Sequence, residues 1–190
     1  RYGVLDTVRE FALGRKSQAE GDVQSRYIAH FAQLSIETMA TYTPRGSNEI
    51  LQLFSDEADN LRHAFDLAIN KSDHNAAARL SRGLVCLYGK SRPAQDQLTL
   101  LSRIDTSQID VHLQAHVYLA ISKVLWKSGG DGKENLRVRQ LAVNCFLQTD
   151  DESGLAKAMT RLATTQWISG DKQKGAETLN LAMERAVHCQ

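Results

Sequence analysis

The chain has 190 residues, 42% hydrophobic and 24% charged, so it is long enough for one domain or two small ones and too apolar for a disordered chain. Lys and Arg number 23 against 22 Asp and Glu, and the net charge of +1 excludes a strongly basic nucleic-acid binder at the level of the whole chain. The longest apolar runs, such as 84–88 and 117–121, fall far short of the about 20 residues of a membrane helix, so no membrane contact is expected.

The scarcity of proline indicates a helical protein. Only Pro44 and Pro93 occur, whereas an all-β fold of this length has many turns that use proline and glycine. The chain opens with Arg1 and no apolar signal region follows, so we expect a fragment of a longer protein. The three cysteines are far apart and match neither a disulfide framework nor a zinc motif, which predicts a reduced, cytoplasmic protein with thiols mostly in the core.

The first third of the chain predicts a short strand and three helices. Residues 2–5 are the strand, and Thr7 with Glu10 forms a capping box that begins the first helix. An apolar stripe after Asp22 predicts the second helix, and a loop with proline and glycine follows at 41–47. One long helix is then expected over 48–70.

Six further helices are predicted in the rest of the chain. One covers 74–89, and Pro93 suits the first turn of a short helix that includes Leu101. Asp110 begins the next helix, which ends at the glycine pair 129–130. The last three cover about 133–149, 153–169 and 171–188, so we expect at least eight helices overall.

The last four helices look like two copies of one helical hairpin. Small residues recur in both copies, Ala120 with Ala163 and Ala142 with Ala182, where paired helices approach closely. The final copy resembles the tetratricopeptide pattern, whose packing positions fall at Leu162, Ala163, Gly175, Leu179 and Ala182. Such hairpins leave apolar faces that neighbouring hairpins cover, so we expect a stacked array.

Four segments resemble, in the same order, the region that follows the ATPase module in bacterial signal-transduction ATPases with numerous domains that regulate transcription. They are RYGVLDTVREFAL at 1–13, SRYIAHFAQLSIE at 25–37, FSDEADNLRHAFDLAINKSDHNAAARLSRGL at 54–84 and DDESGLAKAMTRLATTQWISGDKQKGAETLNLAMERA at 150–186. The run at 57–62 is the most diagnostic, and 90–150 fits least. The resemblance implies an all-α, right-handed superhelix of tetratricopeptide-like hairpins over 48–190, with 1–47 as junction helices that carry a short strand and helix remnant of the upstream domain.

The same resemblance implies a regulatory role. We expect a module that binds an effector, either a protein or a small molecule, and relays the event to upstream ATPase and DNA-binding domains of the same chain. The family binds ATP and DNA through those other domains, so neither nucleic acid nor a cofactor is expected on this fragment. The alternative is a structural scaffold that mediates self-association without sensing an effector.

The chain itself carries no recognisable catalytic site, so no enzyme is predicted. The stretch 129–134 lacks the leading glycine of a phosphate-binding loop and has Glu134 where a magnesium-binding Ser or Thr belongs. His112 and His116 share a helix face, but a zinc site needs three or four ligands, so surface histidines are favoured over metal ligands. Cys86 and Cys145 lie on apolar helix faces, where thiols are usually inert.

One segment is locally basic. Its cationic residues are Arg79, Arg82, Lys90, Arg92 and Arg103. A solvated face beside the acidic third helix at 48–70 is favoured over contact with nucleic acid or an acidic partner.

Three aromatic residues are candidates for a partner-binding groove. They are Tyr118, Trp126 and Trp167, which lie near the small residues of the hairpins. Packing between repeats is the favoured alternative, and the sequence leaves open whether the tryptophans face a groove or the core.

Overall fold

The computed structural model describes residues 19–41, 48–129 and 131–187. These ranges are all-α and hold nine α-helices with no strand. They are α1 (Ala19–Ala40), α2 (Asn48–Asp56), α3 (Ala58–Asn70), α4 (His74–Ser91), α5 (Ala94–Ser102), α6 (Val111–Lys127), α7 (Gly132–Phe146), α8 (Glu152–Ile168) and α9 (Lys172–Val187). A 3₁₀ turn over Thr106–Gln108 joins α5 to α6. The strand and helix predicted before residue 19 and the loop with Pro44 lie outside the described residues. None of the described helices has the length and apolarity to cross a bilayer.

The single helix expected over 48–70 is two helices, α2 and α3, which meet at Glu57. Glu57 has ψ of 10°, far from the helical value of about −42°, while its carbonyl accepts the Leu61 N–H at 2.8 Å and so begins α3. Phe54, at the end of α2, is completely buried against Gly83 of α4, where a Cβ would lie 3.0 Å from the Phe54 ring. The apolar periodicity continues across the break, which is why it predicts one helix.

Aspartate side chains set the starts of five helices. An Oδ1 atom accepts a backbone N–H of the first turn of α4, α6, α7, α8 and α9 at 2.7 to 3.2 Å, from Asp73, Asp110, Asp131, Asp151 and Asp171 respectively. Each bond satisfies a donor that a helix leaves unpaired at its N-terminus.

The helices pack chiefly on their neighbours in the chain and enclose two apolar cores. The first core is formed by the six helices α1 to α6 and is built around Phe54, Leu61, Phe65, Leu80, Leu84 and Leu101. The second joins α6 to α9 and is built around Ala115, Ala142, Phe146, Leu155, Leu162 and Ala182. Cys86 lies in the first and Cys145 in the second.

The packing positions expected in the last hairpin lie mostly where α8 meets α9. Leu162, Ala163 and Ala182 are buried, and a Cβ on Gly175 would lie 3.0 Å from the carbonyl oxygen of Ala163. Leu179 differs from the expectation because it is 41% exposed and belongs to neither of the two cores. In the preceding hairpin, Ala142 is fully buried in the second core. Ala120 is only partly buried and packs against the first core.

Candidate functional site

Three cationic side chains lie close together where α6, α7 and α8 approach one another. Lys123 comes from α6, Arg139 from α7 and Arg161 from α8, and we call them the basic cluster. The Arg161 guanidinium is near enough to lower the pKa of both other cations. The fold therefore concentrates positive charge that the near-neutral composition of the chain does not reveal.

Arg139 is the buried member of this cluster, only 4% exposed. Its Nε donates to Asn135 Oδ1 at 2.9 Å, and Nη1 donates to the Arg161 carbonyl and to Thr165 Oγ1. Its guanidinium lies 4.9 Å from the centre of the Trp126 ring. These partners are neutral. Burial, and to a smaller extent repulsion from the Arg161 charge, lowers the pKa of Arg139 to about 10. The side chain thus remains a buried cation at neutral pH.

Lys123 and Arg161 are the partly buried members, and desolvation lowers the pKa of each. Among the residues that the structure describes, no carboxylate lies within ion-pair distance of either side chain. Removing a charge from water without a counter-charge is unfavourable. Among the described residues, no opposing charge favours the charged form of Arg161, and only the Cys86 thiol does so for Lys123.

Arg82 of α4 is another partly buried cation. Desolvation lowers its pKa, and the carboxylate of Asp151 partly opposes that shift. Arg82 belongs to the locally basic segment of the sequence, but its electrostatic neighbours are on α6 and at the start of α8 rather than on the acidic helix α3.

A second group lies beside Arg82 and consists of His112, His116 and Asp151. The Nε2 atoms of both histidines are 3.4 Å from Asp151 Oδ2, and one ligand atom from each residue lies within 4.8 Å of the others. The prediction of surface histidines is wrong for His116, whose side chain is only 15% exposed and packs edge-on against Phe146 at 5.2 Å. Desolvation and the Arg82 charge lower the pKa of His116 to about 3, so its imidazole is neutral at physiological pH.

The third member of this group, Asp151, has no signal in the sequence that links it to the histidines. It lies at the N-cap of α8, far along the chain from the first turns of α6. Only the packing of α8 beside α6 brings its carboxylate to the two imidazoles.

Two of the three predicted aromatic residues lie at the surface, and the third packs against the second core. Trp126 and Trp167 are 46% and 52% exposed, near the C-terminal ends of α6 and α8. Tyr118 is partly buried, and its hydroxyl donates to Thr106 Oγ1 at 3.2 Å. Trp126 lines a cleft of about 270 Å³ together with Asn135 and Thr165. The structure therefore places both tryptophans at the surface, and their contact with a partner stays a prediction.

Two other cations of the basic segment have partners within the chain, whereas Arg79 is exposed. Arg103 donates to Asp66 of α3 at 2.6 Å and lies 5.2 Å from the centre of the Phe65 ring, and Arg92 lies over Tyr88. The side chain of Lys90 lies outside the described residues. Arg92 and Arg103 therefore have local partners, unlike Lys123 and Arg161.

The chain has no match in three comparisons with known proteins. A scan against protein-family models, a search of curated proteins and a search of solved structures each found none. The likeness to regulatory ATPases consequently stays a prediction that the quoted sequence segments carry.

The stacking of Arg139 on Trp126 gives the first testable prediction. We expect a double-mutant cycle between Trp126→Ala and Arg139→Met to give a coupling of about 0.5–1 kcal/mol, because a guanidinium is attracted by the face of an indole ring. Urea denaturation of the four proteins measures it. Trp126→Phe, which keeps a ring, should retain part of the coupling, and a coupling of zero would contradict the interaction.

Proposed function

We propose that this chain is a regulatory binding module of helical hairpins that takes an acidic segment of a partner protein against Lys123 and Arg161. One observation carries the proposal: in the described part of the chain, these two partly buried cations have no carboxylate partner. It deepens the expectation of an effector-binding module, because it adds the charge of the effector.

A bound carboxylate supplies the negative counter-charge that Lys123 and Arg161 lack among the described residues. Desolvation lowers the pKa of Lys123 and Arg161, which means that the charged forms are less favourable in the folded chain than in water. A partner carboxylate offsets this through charge-assisted hydrogen bonds, which are roughly twice as strong as neutral ones. Such a surface lowers the stability of the free protein and raises its affinity for an anion.

The layout of the charges favours a protein segment over a small anion. Arg82, Lys123 and Arg161 come from α4, α6 and α8, so a partner that contacts all three must span three helices. Trp126 and Trp167 are exposed near the ends of α6 and α8 and add apolar contact area. Interfaces between proteins are enriched in tryptophan and arginine.

The resemblance to signal-transduction ATPases supplies the setting of this module. In that setting, the array over 48–190 forms a right-handed superhelix and captures its partner with 110–190, while 1–47 adjoins the ATPase. Partner binding would then change the contacts of the module with the ATPase and so control transcription in the cytoplasm. Stacked repeats suit this relay because each unit contacts only its neighbours.

The scaffold alternative has one observation in its favour. Helix α9 exposes several large apolar residues, namely Leu179, Leu181 and Met183. Self-association through this face would make the sedimentation coefficient depend on protein concentration in the absence of a partner. Binding of an acidic peptide without such a dependence would favour the module.

The test measures binding of a fluorescein-labelled hexaglutamate peptide to residues 1–190 by fluorescence anisotropy. We expect Lys123→Met and Arg161→Met each to weaken binding about fivefold, the effect of a contact of about 1 kcal/mol. Arg26→Met removes an exposed cation on the distant helix α1 and should leave affinity unchanged. Affinity should also fall with salt, because exposed charges are screened.

A stability measurement separates a binding role from a structural one. We expect Lys123→Met to melt at the same temperature as the parent or higher, because it removes a desolvated charge without breaking an ion pair. A clear loss of stability would mean that Lys123 supports the fold. Competition by inorganic phosphate as strong as that by the peptide would indicate a small-anion site, and tighter binding of duplex DNA would reject the proposal.

A further inference from the structure

Two histidines and an aspartate meet between the start of α6 and the start of α8. We infer that His112, His116 and Asp151 form a binding site for a divalent transition-metal ion, with Zn²⁺ as the best fit. The inference uses residues other than the basic cluster, so it stands whether or not the proposed function does.

Two of the three distances between ligand atoms match those around a tetrahedral zinc ion. Imidazole nitrogens and carboxylate oxygens bind zinc at about 2.0–2.1 Å, which places neighbouring ligand atoms about 3.3–3.4 Å apart. Both histidine Nε2 atoms are 3.4 Å from Asp151 Oδ2, and the three ligand atoms lie within 4.8 Å of one another. Asp151 Oδ2 therefore lies at the spacing that zinc requires from each of the two imidazole nitrogens.

Contacts with the surrounding helices fix the positions of the ligand side chains. His112 and His116 are one turn apart on the rigid helix α6, with ring centres 4.6 Å apart, and the Phe146 ring packs edge-on against His116. Asp151 uses Oδ1 to accept the Gly154 N–H at 2.7 Å, which leaves Oδ2 for the metal. Gly154 has no side chain, and a Cβ there would lie 2.5 Å from that Oδ2. The carboxylate thus caps the helix and faces the histidines at once.

The set of ligands selects the class of metal. Two imidazoles and one carboxylate suit zinc and its neighbours, whereas Mg²⁺ and Ca²⁺ prefer oxygen ligands alone. Three protein ligands leave a fourth position for water or another donor, and His112, 45% exposed, lies on the solvent side of the site. Arg82 and Lys157 are the nearby cations and weaken the attraction for any dication. We therefore expect reversible binding rather than the tight hold of a structural zinc site.

The experiment is calorimetric titration of residues 1–190 with Zn²⁺, together with the visible absorption of Co²⁺ as a probe of geometry. We expect one Zn²⁺ per chain that Mg²⁺ does not displace, and Co²⁺ bands with the intensity of a four-coordinate ion. Asp151→Asn keeps a good helix cap but loses the anionic ligand, and His112→Ala removes the more exposed imidazole. Each should weaken Zn²⁺ binding at least about tenfold. The matched control, His30→Ala on α1, should leave it unchanged.

Two results would overturn the inference. One is the absence of saturable Zn²⁺ binding by the parent chain. The other is equal Zn²⁺ affinity in the parent, Asp151→Asn and His112→Ala proteins, all shown to be folded by circular dichroism. In the second case, Zn²⁺ would be bound by other side chains.

Discussion

Replacing Phe146 with alanine should lower the free energy of unfolding by about 3–5 kcal/mol. Phe146 is completely buried, at the end of α7 in the middle of the second core. Its ring contacts the edge of His116 and lies close to Gly154, so the side chain joins α6, α7 and α8. Truncation to alanine leaves a cavity among these three helices, and the surrounding structure relaxes only partly to fill it.

Urea denaturation of the purified chain measures this loss. The neighbouring Leu147 is 56% exposed, so Leu147→Ala is a matched control with an expected change within about 0.5 kcal/mol. Comparable losses in the two variants would show that the second core is not organised around Phe146.

Replacing Ala163 with leucine should lower the free energy of unfolding by about 1–3 kcal/mol through overpacking. Ala163 is 3% exposed and lies where the backbones of α8 and α9 come closest. The two backbones are so close that a Cβ on Gly175 would lie 3.0 Å from the carbonyl oxygen of Ala163 and 3.1 Å from the backbone nitrogen of Trp167. Backbone atoms do not yield as a flexible side chain does, so extra methyl groups must push the helices apart.

The control for this prediction is the adjacent position. Thr164 is exposed, so Thr164→Leu adds a similar volume without entering the contact between α8 and α9. Thermal melting should show a clear decrease for Ala163→Leu and little change for Thr164→Leu. An unchanged melting temperature for Ala163→Leu would mean that the tetratricopeptide register assigned to 150–186 is wrong.

The helices themselves follow from local sequence. An apolar residue every three or four positions predicts α1 and α4 to α9 within a few residues of their observed ends, because one buried stripe is enough to specify a helix. Aspartates such as Asp110 and Asp171 mark helix starts, because a carboxylate accepts the free N–H groups of a first turn. The buried small residues Ala163 and Ala182 were also visible in the repeat pattern.

Only the tertiary structure decides where a periodic segment bends. The pattern of 48–70 is continuous, yet the helix breaks at Glu57, three residues after Phe54, which packs against Gly83 of another helix. Likewise, the pattern assigns Leu179 to a packed position, yet this residue is 41% exposed in the folded chain.

The candidate sites are also decided by tertiary structure, for the same physical reason. The sequence singled out His112 and His116, but their carboxylate partner comes from the cap of another helix. The net charge of the sequence is near zero, yet Lys123 lies within reach of the positive charge of Arg161. No carboxylate among the described residues pairs with either side chain. Periodicity and capping act over a few residues, whereas a site depends on distances between side chains that only the packing of whole helices sets.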